Sequence, residues 1–108
     1  MIVRTSIVDS SFELPFPVFN DVINIFSPIV YLFWKGQRFT PSNPDNILDV
    51  IPVDWVCRGT LLAAAELMEF EAQKKVNQLA QDHFFHKVYQ FSSGGQNPIT
   101  MRRAIELT

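Results

Sequence analysis

The sequence has a single cysteine, only four glycines, no excess of either charge and no apolar run long enough to cross a bilayer. The lone thiol, Cys57, excludes an intramolecular disulfide and reads as a small helix-packing residue in a reducing compartment. Nine basic against eleven acidic residues give a net charge of −2, which excludes the concentrated basic surface that nucleic-acid phosphates demand. The doublets Lys74-Lys75 and Arg102-Arg103 stand apart from one another. The longest apolar stretch, Val22 to Trp34, is broken by Asn24 and Ser27-Pro28. It falls short of the ~20 residues a spanning helix needs. Arg4 and Asp9 interrupt the N-terminus, so no signal peptide is legible. These absences predict a soluble, cytoplasmic chain with no membrane span and no nucleic-acid partner. The few glycines form no G-x-G-x-x-G phosphate loop.

Aromatic residues are abundant instead: ten Phe, two Trp and two Tyr in 108 residues. A chain of this size is one domain or less and has a limited interior, so exposed apolar surface is expected, as a binding face or a face covered by further protein. Hydrophobic residues make up 47% and charged residues 19%, the balance of a folded chain.

The β-branched run from Met1 to Val8 reads as a strand. A strand at the first residue suggests a chain cut from a longer one. Phe12 to Phe19, with Pro15 and Pro17, reads as an irregular apolar loop. Asn20-Asp21 caps a short helix through Phe26, and Ser27-Pro28 opens a second that ends at Gly36. A short buried strand follows from Ile47 to Val53, with Asp54 as N-cap of a long helix running through Phe70 or beyond. Lys87 to Phe91 is a strand and Ser92 to Gly95 a turn. Pro98 to Leu107 is a closing helix capped by Asn97 or Thr100. The alternation predicts an α/β fold with parallel strands.

Three patterns have a chemical reading and a plainer one. Tyr31 and Lys35 lie one helical turn apart, the spacing at which an ammonium lowers a phenol's pKa and makes it a proton donor. The plainer reading is an apolar helix with a lysine at its C-terminal end. His83 and His86 offer two metal ligands without a third, and read as surface histidines. Ser92-Ser-Gly-Gly95 lacks the spacing of a phosphate loop and reads as a turn. The Phe12, Phe16, Phe19 and Phe26 cluster fits either a pocket for a long apolar substrate or ordinary core.

Three segments carry a family resemblance. Ile2-Val-Arg-Thr-Ser-Ile-Val8, Asp49-Val-Ile-Pro-Val-Asp-Trp-Val56 and Tyr89-Gln-Phe-Ser-Ser-Gly-Gly-Gln-Asn-Pro-Ile-Thr100 resemble successive segments of the NAD(P)-binding domain of fatty acyl-CoA reductases. This male-sterility type belongs to the extended short-chain dehydrogenase/reductases. The resemblance implies a fragment of a Rossmann-like parallel sheet with packed helices, the C-terminal, substrate-side part of such a domain. It also implies a parent enzyme that uses NADPH to reduce an acyl-CoA or acyl-carrier thioester to an aldehyde, and often onward to an alcohol. In the family the Gly-rich loop and the catalytic Tyr-x-x-x-Lys pair precede the strand matching residues 2–8, so this chain is expected to bind no cofactor and to be inactive alone. Thr5, Ser6 and Ile7 match the stretch beside the nicotinamide, with Thr5 where relatives commonly have Pro. Phe12, Phe16, Phe19 and Phe26 match the substrate side of the cleft. Unpaired sheet edges left by missing neighbours predict self-association. A stand-alone interaction or lipid-binding module with an exposed aromatic face is the alternative.

Overall fold

A computed structural model describes residues 1–21, 26–37, 39, 41–76 and 84–107. It is mixed α/β. Strands β1 (Ile2–Thr5) and β2 (Ile7–Asp9) are followed by helix α1 (Phe26–Trp34), strands β3 (Ile47–Leu48) and β4 (Val50–Pro52), and the long helix α2 (Val53–Val76). Strands β5 (Val88–Phe91) and β6 (Ile99–Thr100) and helix α3 (Met101–Glu106) complete it.

The expected N-terminal strand is one extended segment that changes partner at Ser6. Its first half, β1, pairs in parallel with β5, Ile2 opposite Val88 through Thr5 opposite Phe91. Its second half, β2, pairs in parallel with β4, Ile7 opposite Val50 through Asp9 opposite Pro52. The N–H of Ser6 donates to the Phe91 carbonyl at 2.9 Å, and that of Ile7 to the Asp49 carbonyl at 3.1 Å. Successive N–H groups of a strand point to opposite sides, so β4 and β5 flank the segment on its two edges. The strand expected over 47–53 is likewise divided, at Asp49. Before it, β3 pairs antiparallel with β6; after it, β4 joins the parallel set. The antiparallel pair is an addition to the parallel sheet read from the sequence.

Helix α2 presents a stripe of half-buried and buried residues at three- and four-residue spacing: Val56, Gly59, Ala63, Leu67, Phe70 and Lys74. Small residues at its centre let it approach the strands. A Cβ on Gly59 would meet the Phe91 ring at 2.7 Å. The helix is unbroken to Val76. Further out, Phe70 stacks on Phe85 at 5.2 Å between ring centroids, and the Glu66 carboxylate accepts hydrogen bonds from Lys87 and Tyr89. Helix α3 starts at Thr100, whose hydroxyl accepts from the Arg103 N–H, settling the choice of cap in favour of Thr100 over Asn97.

Helix α1 stops before Gly36, which has φ 94°, a conformation open to glycine. The helix expected over 20–26 falls largely on residues outside those described. So do the side chain of Phe26 and all of His83. Lys35 lies over the rings of Tyr31 and Trp34, at 5.5 and 5.2 Å. That is a cation–π contact at a helix end and matches the plainer reading of the Tyr-x-x-x-Lys spacing.

Ile51 and Ala63, 6% and 3% exposed, are the buried apolar residues among those described. The molecule measures 64 × 30 × 20 Å with a radius of gyration of 19.0 Å, against ~13 Å for a compact chain of this length. Exposed apolar surface is extensive, as the aromatic content suggested. Among the described residues no helix is long and apolar enough to cross a membrane.

Candidate functional site

In open parallel sheets the backbone leaves free groups at the carboxyl ends of the strands, and ligands collect there, where neighbouring connections diverge. Here that edge carries a cleft of about 670 Å³ at the ends of β2, β4 and β5. Its lining is mixed: Phe12, Val50, Ile51, Pro52, Trp55 and Ile99 are apolar, and Ser92, Ser93, Gln96 and Asn97, with Asp9 and Ser10 at the end of β2, are polar. The rings of Phe12 and Trp55 meet edge-on at 6.0 Å.

Two carboxylates hold the loops that line it. Asp54 is 5% exposed, and its oxygens accept from the N–H groups of Phe12, Glu13 and Leu14 at 2.9, 3.0 and 3.3 Å. The expected N-cap role for Asp54 is thereby corrected. Helix α2 begins one residue earlier, at Val53, and the Asp54 side chain is committed to the loop that leaves β2. The physical reason is demand: three consecutive loop N–H groups near a buried spot need an acceptor, and an ionised carboxylate is the strongest available. Burial pushes its carboxyl up, and the donors from Phe12, Glu13 and Leu14 outweigh burial and hold it below 3.8. Arg58, one turn along α2, pairs with Glu13 at 2.9 Å on the surface.

The loop closes on itself through Ser11, 4% exposed. Its hydroxyl donates to the Phe16 carbonyl at 2.6 Å and accepts from the Phe19 N–H at 3.0 Å. The Ser11 and Phe19 backbones are joined at 3.1 Å, and the Val18 N–H reaches the Ser11 carbonyl at 2.9 Å. Val18 has φ 65°, an uncommon conformation for a β-branched residue that the closed loop sustains. The result is a compact loop with joined ends.

Asp49 performs the matching task for the loop after β5. Its carboxylate accepts from the Ser92 hydroxyl at 2.5 Å, the Ser93 N–H at 3.0 Å and the Gly94 N–H at 2.9 Å. The Ser92 hydroxyl is the main influence lowering its pKa, against burial; the Gly94 and Ser93 N–H groups add to it, and the Ser6 hydroxyl contributes least. Ser6 Oγ is buried without a well-formed hydrogen bond, in keeping with that small share. A Cβ at Gly94 would stand 3.1 Å from Asp49 Cγ, so the glycine permits the close approach. Ser92 to Gly95 is indeed a turn, but one gripped by a carboxylate.

Of the residues singled out from the sequence, Phe12 lines the cleft. Phe16 and Phe19 pack on each other at 5.2 Å within the loop and do not line it. Thr5, Ser6 and Ile7 form the crossing where the strand changes partner, two to four residues before the cleft wall begins at Asp9. His86 is exposed, and no group of three metal-ligating side chains occurs among the described residues. Sequence reasoning missed Asp49, Trp55, Gln96 and Asn97. Asp49 had left one signal, a lone charge inside an otherwise apolar strand, which implies a specific partner.

No family model matches the chain. Among curated proteins it is 30% identical over 110 residues to "Fatty acyl-CoA reductase 2, chloroplastic" of Arabidopsis thaliana, covering 99% of this chain and 16% of that protein. It is 29% identical over 108 residues to "Probable fatty acyl-CoA reductase 4" of the same plant, covering 99% of the chain and 20% of the relative. Over 63 residues, 57% of the chain, it is 32% identical to "Alcohol-forming fatty acyl-CoA reductase" of Simmondsia chinensis, of which the match covers 13%. The chain therefore spans about a fifth or less of these relatives. Nearly every residue of it falls within the matches to the two Arabidopsis proteins, so by sequence the chain is similar, over its whole length, to one segment of fatty acyl-CoA reductases.

Proposed function

We propose that this chain is the C-terminal, substrate-side portion of the reductase domain of an NADPH-dependent acyl-thioester reductase. The observation that carries the reading is the cleft of mixed apolar and polar lining at the carboxyl ends of the parallel strands. An acyl-CoA has an apolar tail and an amide-bearing arm joined at the thioester. The aromatic pair Phe12 and Trp55 suits the tail, and the polar side chains of Ser92, Ser93, Gln96 and Asn97 suit the amides. Phe16 and Phe19 belong to the same loop as Phe12, outside the cleft lining, and their part in holding the tail, like that of Phe26, rests on the family resemblance alone. The relatives' names supply the fatty acyl-CoA class and, for one, an alcohol product.

The chain's share of a nicotinamide site is the crossing at Thr5, Ser6 and Ile7. Thr5 is exposed there, and the Ser6 hydroxyl is buried without a well-formed bond, which fits the polar edge of a nicotinamide. The pyrophosphate has no cradle in the one serine–glycine turn, since the N–H groups of Ser93 and Gly94 are taken by Asp49. NADPH would supply a hydride to the thioester carbon, with release of the thiol; the Gly-rich loop and the proton donor belong to other parts of the enzyme. Asp49 and Asp54, beside the cleft, are committed acceptors that hold its loops and do not act as general bases. The 108 residues alone are accordingly inactive. The lone thiol suits a reducing compartment, the cytoplasm in this reading, with the chloroplast of one relative's name as the alternative that cell fractionation distinguishes.

Replacing the matching segment of a fatty acyl-CoA reductase by residues 1–108 tests this directly. A folded chimera that oxidises NADPH with a long-chain acyl-CoA supports the reading, and a folded but inactive one overturns it. NADPH-dependent thioester reduction by the 108 residues alone would defeat the division of labour. A stand-alone lipid-binding module is favoured only by the exposure of Phe12, Leu14, Phe16 and Val18 on one loop. It predicts an inactive chimera and a monomer that sequesters fatty acids.

A further inference from the structure

The two loops that line the cleft are not held by local turns alone. Each is tied to the ends of β4 by a carboxylate, Asp49 before the strand and Asp54 after it. The Asp54 tie is the more consequential, because it takes three consecutive N–H groups of the aromatic loop. Phe12, Leu14, Phe16 and Val18 are all exposed, so burial of these side chains does not anchor the loop. The internal bonds through Ser11 shape it without attaching it to the rest of the molecule. Among the described residues, the bonds that reach from residues 12–14 to α2 are the three N–H donors to Asp54 and the surface pair Glu13–Arg58. An exposed ion pair of that kind contributes little. What sets Phe12 edge-on against Trp55 is therefore the Asp54 carboxylate.

We propose that Asp54 is a positioning residue for acyl-chain binding: it fixes the Ser11–Phe19 loop so that Phe12 and Trp55 form one apolar wall. What fills that wall rests on the acyl-thioester reading above; the anchoring itself does not. The closest isosteric change, Asp54→Asn, replaces one acceptor oxygen by an NH₂ group facing N–H donors. It therefore breaks the anchor while keeping the volume. Phe12→Ala removes the wall while leaving the anchor intact.

Three measurements on the 108-residue chain test this, with Trp34→Phe as background so that fluorescence reports Trp55 alone. Amide hydrogen exchange comes first: the Phe12, Glu13 and Leu14 amides should be protected at least about tenfold relative to their free-chain rates, because each bond must open before exchange. Unprotected Phe12, Glu13 and Leu14 amides in a chain whose β1, β5 and α2 amides are protected overturn the proposal without any variant having to fold. Second, Asp54→Asn should abolish that protection, shift Trp55 emission to the red and raise its quenching by acrylamide. Third, dodecanoyl-CoA titrated into the chain should bind roughly tenfold more weakly to both Asp54→Asn and Phe12→Ala, the cost of one lost aromatic contact. Phe12→Ala should keep its amide protection. Affinity unchanged in Asp54→Asn sinks this assignment alone. Protected amides with no dodecanoyl-CoA binding to the parent chain sink the acyl-thioester reading instead, and the positioning role with it.

Discussion

Carboxylates organise this molecule, and each is placed where backbone or side-chain donors would otherwise lack acceptors. Glu66 illustrates the electrostatics. Lys87 first, and Tyr89 after it, hold its carboxyl below 4.5. In return the carboxylate raises the Lys87 ammonium above 10.5 and the Tyr89 phenol above 10.0. In Glu66→Gln the Tyr89 phenol should titrate closer to its ordinary value, read as absorbance near the phenolate band in a Tyr31→Phe background. An unchanged titration would mean the bond is not made in solution. The acids also set a pH dependence whose sign is definite. Asp49, Asp54 and Glu66 all have lowered pKa values in the fold. Their contribution is complete above the ordinary values of 3.8 and 4.5 and disappears as pH falls through the lowered ones. The urea midpoint should accordingly drop below about pH 4, and Asp49→Asn or Asp54→Asn should flatten that drop. Lys87 and Tyr89 contribute with the opposite sense, present below 10.5 and 10.0 and lost as pH rises through their raised values.

At the scale of elements, the seating of α2 on β5 depends on one missing side chain. Gly59 faces the tip of the Phe91 ring, with ring atoms 2.7–3.1 Å from where a Cβ would lie. A valine there gains helix propensity but overpacks the contact, so Gly59→Val should destabilise the chain by about 1–3 kcal/mol. Phe91→Leu, destabilising by itself, should recover part of that loss in the double variant, and a thermodynamic cycle from denaturant melts measures the coupling. Simple additivity would mean that the helix and strand do not touch there. Elements were also where the sequence was most legible and where its limits showed. The strand at 2–8 and the long helix after Val53 follow from β-branched runs and small-residue spacing, whereas the choice of Thr100 over Asn97 as cap came from the structure. The partner changes at Ser6 and Asp49 do not, because a strand's local composition carries no record of which neighbour it meets. Asp54 was misassigned for the same reason. An aspartate at a helix start has an attractive local role, and only the approach of residues 12–14 supplies a stronger one.

Across the whole molecule the balance tilts toward surface. A radius of gyration of 19.0 Å and two buried apolar side chains among the described residues leave little core to support cooperative folding. The face bearing Leu61, Leu62 and Met68 on α2, and the side chains Tyr31, Leu32 and Trp34 on α1, are exposed. The isolated chain should therefore self-associate through apolar faces or unpaired strand edges. Light scattering across a hundredfold concentration range should show a rising mass; a constant monomer mass would rule this out.

The residues themselves determined the broad class. Alternating β-branched and small-residue segments prescribe an α/β chain, and three segments carry the resemblance to fatty acyl-CoA reductases. Tertiary structure alone decided that the cleft's loops are held by Asp49 and Asp54. Those carboxylates reach donors 43 and 42 residues away. No periodicity or spacing encodes such pairings, since they arise only once parallel strands bring distant loops to one edge.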